Sequence, residues 1–296
     1  MAILKSVLKG LLGAGVRHTD VSPRLAVAND GGDVADVNEL NLQFGDFKLK
    51  RCKFGWMLFS GPYIGKCFDL YGEYSESEVE VFRAYVRPGD IAIDVGANIG
   101  DLTLPLALLA GKEGRVYAYE SHPEMFNVLC TNLALNDIRN VKPVNAFVAD
   151  SPDVNTGSAV WGEHAYIGDT WEPTFAPLDR LDIDRLRFLK VDVDGNELEV
   201  LRSGIRLIEK FRPILYFEND LKDKSKALLE FVLGLGYRVF FHLAPIFRAD
   251  NFFGNPQNAF APRNICSLMM LALPEGIAPP GNLKQVHSSD EWWNFG

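Results

Sequence analysis

The chain has four cysteines, Cys52, Cys67, Cys130 and Cys266, and no two of them stand as C-x-x-C. Neither a zinc knuckle nor a dithiol redox motif is therefore written here, and reduced thiols are the expectation. Long apolar runs are lacking as well: none approaches the roughly 20 residues that a membrane-spanning helix needs. Met1 to Val16 has no continuous apolar h-region and no clear cleavage site, so no secretory leader is expected and the expected location is cytoplasmic. Basic residues are in deficit, 30 Lys and Arg against 39 Asp and Glu, giving a formal charge of −9 over 296 residues. Binding a nucleic-acid backbone needs a dense basic footprint, so no nucleic-acid partner is expected. The phosphate fingerprint G-x-G-x-x-G is also absent, which counts against a nicotinamide oxidoreductase.

What is present suits one main domain with additions, since 47% of the residues are hydrophobic and 23% charged. Residues 1–73 read as an N-terminal helix, a linker and a β-rich layer. In the helix, Ile3, Leu4, Val7, Leu8, Leu11 and Leu12 recur at helical spacing around Lys5 and Lys9. A packing helix is the plain reading. Peripheral membrane contact is the alternative, weakened by Gly10, Gly13 and Gly15. Val27 to Asn41 is rich in Gly, Asn and Asp, as a linker is, and the runs LNLQF, FKLKR and WMLFS between Leu40 and Leu70 predict short strands.

Residues 74–275 form the main domain, and residues 276–296 a tail. Ser75 to Val86 reads as a helix, with Ser75 and Glu78 as a capping box and Pro88-Gly89 as its stop. Strands are predicted at Ile91–Val95, Val116–Glu120, Val141–Val148, Phe188–Val193 and Ile214–Phe217. Helices alternate with them at about Gly100–Leu109, Pro123–Leu135 with Ser121 as cap, Glu197–Lys210 and Lys222–Leu233. Repeated βα units need right-handed crossovers, so the fold class is α/β, a doubly wound and mostly parallel sheet. Ligands of such sheets sit beyond the carboxyl ends of the strands, where Asp94, Glu120, Asp192 and Glu218 should meet. YRVFFHL and ICSLMMLAL then predict an antiparallel pair, and the polar excursion between them, residues 244–264, is the expected substrate lid.

The most informative stretch is IAIDVGANIG, Ile91 to Gly100. Gly96 can take φ > 0 where the chain reverses, and Gly100 allows either close helix packing or close approach of a ligand. Twenty residues on, RVYAYE ends on Glu120, whose carboxylate can accept hydrogen bonds from both hydroxyls of a ribose. Asp94 would repel a pyrophosphate and suits a ligand carrying an ammonium group. S-adenosylmethionine has an ammonium, a ribose and no phosphate.

From about Asp69 to Pro274 the sequence resembles the FkbM family of S-adenosylmethionine-dependent methyltransferases. The resemblance rests on DLYGEYSESE, PGDIAIDVGANIG, VYAYESHPEMFNVLCTNLALN, LKVDVDGNELEVLRSG, RPILYFEND and PIFRADNFFGNP. Asp194 and Ser121 depart from it, because family members commonly have Glu and Pro there. The resemblance implies a seven-stranded Rossmann-like methyltransferase sheet and transfer of a sulfonium methyl group to a hydroxyl of a sugar, glycan or other metabolite. It places the cofactor on Asp94, Gly96, Asn98, Gly100, Glu120, Ser121 and Asp150, although Asn98 has a helix cap as its alternative role and Asp150 a turn. Catalytic candidates are Asp192, Lys190 and Glu218, Lys190 having the alternative of neutralising its acidic neighbours. Asp194 and Glu197 either serve the site or start a helix. His242 and His164 are further bases or structural histidines. A metal-free acid/base site is preferred; if a divalent metal is used, Asp192, Glu218 and Asn219 are its expected oxygen ligands, which suit magnesium or calcium. The rival from another class is a noncatalytic cofactor-binding or scaffold protein of a biosynthetic complex.

Overall fold

The computed structural model describes residues 41–150 and 174–293. The expected N-terminal helix, nearly all of the linker, and His164 lie outside the described residues. The β-rich layer is a three-stranded antiparallel sheet of β1 (Leu42–Phe44), β2 (Phe47–Cys52) and β3 (Gly55–Phe59). Two short helices follow, α1 (Lys66–Tyr71) and α2 (Glu76–Tyr85). The main domain then alternates β4 (Ile91–Val95), α3 (Thr103–Ala110), β5 (Arg115–Glu120), α4 (Pro123–Leu135), β6 (Val141–Asn145), β7 (Phe188–Val191), α5 (Glu197–Ser203), α6 (Ile205–Phe211), β8 (Ile214–Glu218) and α7 (Lys222–Gly234). It closes with β9 (Arg238–Pro245), β10 (Cys266–Leu273) and β11 (Gln285–Val286).

The main sheet has the order β11-β9-β10-β8-β7-β4-β5-β6. Strands β8, β7, β4, β5 and β6 pair in parallel, and β10, β9 and β11 add antiparallel at one edge. The expected seven strands are joined by an eighth, the two-residue β11, because the tail returns to bond Gln285 and Val286 beside Phe240 and Val239. The chain leaves β4 toward β5 on one side and later returns to β7 on the other. The crevice between β4 and β7 is thus the switch point at which such sheets bind ligands.

Side-chain alternation decides what faces that crevice. Odd-numbered residues of β4, β7 and β8, namely Ile93, Val95, Leu189, Val191, Leu215 and Phe217, pack against Val200, Ile208 and Leu229 of α5, α6 and α7. On the opposite face Ala92, Phe188, Ile214 and Tyr216 pack against Val79 and Phe82 of α2 and Leu106 of α3. The period of two carries Asp94, Lys190, Asp192 and Glu218 toward this second face.

Four local expectations change. Ser75 adopts φ 42 and its hydroxyl donates to the Glu78 carboxylate at 2.7 Å, so the pair is a side-chain contact and not a capping box. His122 caps α4 in place of Ser121, its ring nitrogen accepting from Met125 N at 3.4 Å, with Pro123 following it in the first turn. The single helix expected from Glu197 breaks at Gly204, where a Cβ would come within 3.2 Å of Leu178 and where glycine itself weakens helix. The excursion of residues 244–264 docks on α1: Lys66 Nζ donates to Ala259 O, Tyr71 OH to Gln257 O, and Phe253 N to Tyr71 O. No helix among the described residues is long and apolar enough to cross a membrane.

Candidate functional site

At the carboxyl end of β4 the chain turns at Gly96 with φ +81, and the N–H groups of Gly96 and Ala97 both donate to Tyr119 O of the neighbouring strand. A Cβ on Gly96 would lie 1.7 Å from Asp192 O, so glycine is required by the end of β7. Gly100 serves packing, since a Cβ there would meet the Leu129 side chain of α4 at 2.8 Å. Asn98 does not cap α3, whose N-cap is Leu102. Its main-chain N–H, at φ 47, donates to Glu120 Oε2 at 2.8 Å, while His122 N donates to Oε1 at 2.7 Å. Each Glu120 oxygen is thus aimed by one backbone donor and keeps a lone pair for another. Burial pushes this carboxyl up to about 7 against those two hydrogen bonds.

A cavity of about 340 Å³ lies over these strand ends. Gly96, Asn98, Glu120 and Ser121 line one part of it, together with apolar Met125 and Phe147. Lys190, Asp192, Asp194 and Glu218 line another part, with Tyr74, Asp101 and Ser267 beside them. None of the excursion's residues lines it, so the wall expected from a lid is built by Ile64, Tyr74 and Ser267 instead. Asp94 and Asp150 do not reach it either. Asp94 is fully buried beneath the turn, accepting from Thr103 Oγ1 at 2.6 Å and lying 3.3 Å from Lys190 Nζ. The ammonium it faces is therefore the lysine's. Asp150 is exposed, and the neighbouring Ala146, Phe147 and Val148 supply the wall after β6.

Residues 94–239 match the Methyltransferase FkbM domain. The chain carries an FkbM methyltransferase domain. It is 40% identical over 145 residues to the tRNA(Phe) (4-demethylwyosine(37)-C(7)) aminocarboxypropyltransferase of Methanocaldococcus jannaschii, which covers 42% of this chain and 55% of that protein. The chain thus spans about half the length of that curated relative. Among solved structures it is similar to precorrin-6y C5,15-methyltransferase from Geobacter metallireducens, with TM-score 0.45, 18% identity and coverage of 67% of this chain and 87% of that one. It is also similar to methyltransferase FkbM from Methylobacillus flagellatus, with TM-score 0.39, 17% identity and coverage of 66% and 50%.

In this FkbM domain the VDVDGNE segment after β7 forms a tight turn. Asp194 and Gly195 take φ 51 and 92, and the Glu197 carboxylate accepts from Val193 N and Gly195 N. Glu197 therefore organises the turn, and Asp194 is left at the cavity wall. Lys190 lies 3.3 Å from Asp94 and 3.4 Å from Asp192. Burial alone would lower its pKa, but Asp94, Asp192, Glu78 and Asp101 outweigh that and hold the ammonium above the ordinary lysine value. Glu218 moves the other way from an ordinary carboxylate: burial first, then the neighbouring Asp192 and Asp220, raise it well above the usual range. Asn219 turns away, its amide donating to Ser225 Oγ at 3.0 Å, so it does not converge with Asp192 and Glu218 as a metal ligand would. Among the described residues no group of three or more His, Cys, Asp or Glu is arranged to hold a metal. His242 binds the Tyr216 hydroxyl at 2.7 Å within the sheet, and burial lowers its pKa.

Asp101 went unread in the sequence, and Glu78 was read there only as half of a capping box. Burial, first of all, pushes Glu78 up to about 7 and Asp101 up to about 8, with the charge of Lys190 opposing both shifts. A carboxyl raised in the folded state holds a proton that the unfolded chain has already released above about pH 4, so its stabilising contribution is lost as pH rises through the folded value. The thermal midpoint of the ligand-free protein is accordingly expected to fall between about pH 5 and about pH 8, in a series of melts at constant ionic strength. A midpoint rising across that interval would contradict the buried placement of these acids.

Proposed function

We propose that the chain is an S-adenosylmethionine-dependent O-methyltransferase acting on a hydroxyl of a sugar, glycan or other hydroxylated metabolite. The observation that carries this reading is Glu120, aimed at the cavity by two backbone N–H groups while Asp192 stands on the wall of the same cavity. The residues fit the cofactor by their chemistry. Glu120 would take the ribose hydroxyls, Met125, Phe147 and Val148 offer an apolar slot for a purine, and Gly96, Asn98 and Ser121 complete the near wall. When bound, the cofactor supplies an already activated methyl group, so the protein has to align an acceptor oxygen and remove its proton.

Burial and the neighbouring Asp192 favour the protonated form of Glu218, and the surrounding acids favour the charged form of Lys190. Asp192, paired to Lys190 at 3.4 Å, is the carboxylate that receives the acceptor's proton. Lys190 is then a positioning group for Asp192. Metal-free chemistry remains the reading, because Asn219 is committed to Ser225. A hydroxylated metabolite is favoured over RNA by the net charge of −9. The Methanocaldococcus jannaschii relative is named for a tRNA substrate, which makes tRNA the acceptor to include as the competing outcome.

Calorimetry with S-adenosylhomocysteine tests the cofactor, and an acceptor screen read by mass gain tests the reaction. Glu120→Ala should cost about 1.5–3 kcal/mol of S-adenosylhomocysteine affinity, the scale of a hydrogen bond to a charged group. Unchanged affinity in a folded variant would remove the ribose assignment. Cofactor binding without turnover on any sugar, metabolite or tRNA acceptor would favour the scaffold alternative.

A further inference from the structure

We propose that Asp101 binds the α-ammonium group at the amino-acid end of the cofactor. The inference rests on the cofactor reading above and names a residue that the family motif did not assign. Asp101 follows the Gly100 turn and lines the cavity while being only 8% exposed. Its Oδ1 has no hydrogen-bond partner among the described residues. A buried carboxylate oxygen left without a donor is costly, and a cavity wall is where a ligand's donor can relieve it.

Glu78 Oε2 and Asp94 Oδ1 also lack a hydrogen-bond partner among the described residues, but neither residue lines the cavity, and the remaining acids near the Gly96 turn are committed. Asp94 accepts from Thr103 and pairs with Lys190 without reaching the cavity. Glu120 is held by Asn98 and His122 N–H groups at the ribose side, Glu78 accepts from Ser75, and Asp192 pairs with Lys190 at the acceptor side. Lys190 pairs with Asp94 and Asp192, and among the described residues no salt bridge reaches Asp101, so a ligand's cation would be the partner it lacks. S-adenosylmethionine carries its ammonium on the arm across the sulfur from the ribose. With the ribose on Glu120, the arm would occupy the rest of the same cavity, which Asp101 and Tyr74 help to line.

The test uses three ligands in calorimetry on wild type, Asp101→Asn and Asp101→Ser. S-adenosylhomocysteine has the full arm, its decarboxylated analogue keeps the amine alone, and 5′-methylthioadenosine has neither group. Both variants should bind the first two ligands about ten- to a hundred-fold more weakly, with 5′-methylthioadenosine unchanged. Retained 5′-methylthioadenosine binding also certifies the fold. Equal losses for all three ligands, or no loss for S-adenosylhomocysteine, would overturn the assignment. So would sensitivity confined to the ligand that carries a carboxylate. If the wild type binds none of the three, it is the cofactor reading that fails.

Discussion

Asp192→Asn is expected to lower kcat by about 10²–10⁴, the usual range for loss of a general base, while S-adenosylhomocysteine affinity stays within a few-fold of wild type. The expectation follows from the division of protons at the end of β7 and β8. Burial and Asp192 both disfavour the Glu218 anion, and four surrounding acids favour the Lys190 ammonium. Glu218→Gln then preserves the neutral, hydrogen-bonding character of the native group and should leave most activity in place. The contrast between the two amides is the informative measurement, made by steady-state kinetics with the acceptor found in the screen. Equal, large losses in both variants would make the two carboxyls a single catalytic unit, and full activity of Asp192→Asn would move the search for a base elsewhere. Chelation should leave wild-type activity unchanged; loss on chelation with recovery on adding magnesium would replace the acid/base reading by a metal-assisted one.

Asn132→Ala should destabilise the fold by about 3–5 kcal/mol, measured by denaturant unfolding. Asn132 is fully buried in α4 and serves three main-chain groups: its carbonyl accepts from Leu58 N, and its amide donates to Leu58 O and Ile99 O. It thereby ties β3 of the small N-terminal sheet to α4 and to the turn after β4. Truncation would strand those three groups away from water, and each unpaired buried group costs about 1–3 kcal/mol. Because Ile99 belongs to the glycine turn, cofactor affinity should fall along with stability. A loss below about 1 kcal/mol would show that the N-terminal sheet detaches without penalty to the domain.

The order of strands and helices from Ile91 to Leu273 was legible in the sequence because it rests on local rules. A period of two fixed the strands, glycine turns fixed their ends, and the antiparallel pair β9 and β10 followed from its two apolar runs. The same period, with the motif carrying Asp94, Glu120, Asp192 and Glu218, placed an acidic crevice at one edge of the sheet. Which of those acids reach the cavity was not legible. Asp94 looked like a ligand for an ammonium group, yet the lysine two positions before Asp192 arrives from β7 and takes that role, since pairing inside the sheet satisfies both charges. The excursion at residues 244–264 looked like a lid because it leaves the sheet beside the site. Its hydrogen bonds with Lys66, Leu70 and Tyr71 instead fasten it to α1, a helix nearly 200 positions earlier in the chain.

By itself, then, the sequence determined the α/β architecture, the family and the strand ends at which chemistry is placed, because backbone geometry and side-chain alternation act between near neighbours. Only the tertiary structure decided that Glu120 is aimed by Asn98 and His122, that Lys190 joins Asp94 to Asp192, and that Asp101 faces the cavity with an oxygen to spare. Those outcomes depend on how buried charges from separate elements share a small number of partners, and that competition is settled only when the elements are packed together.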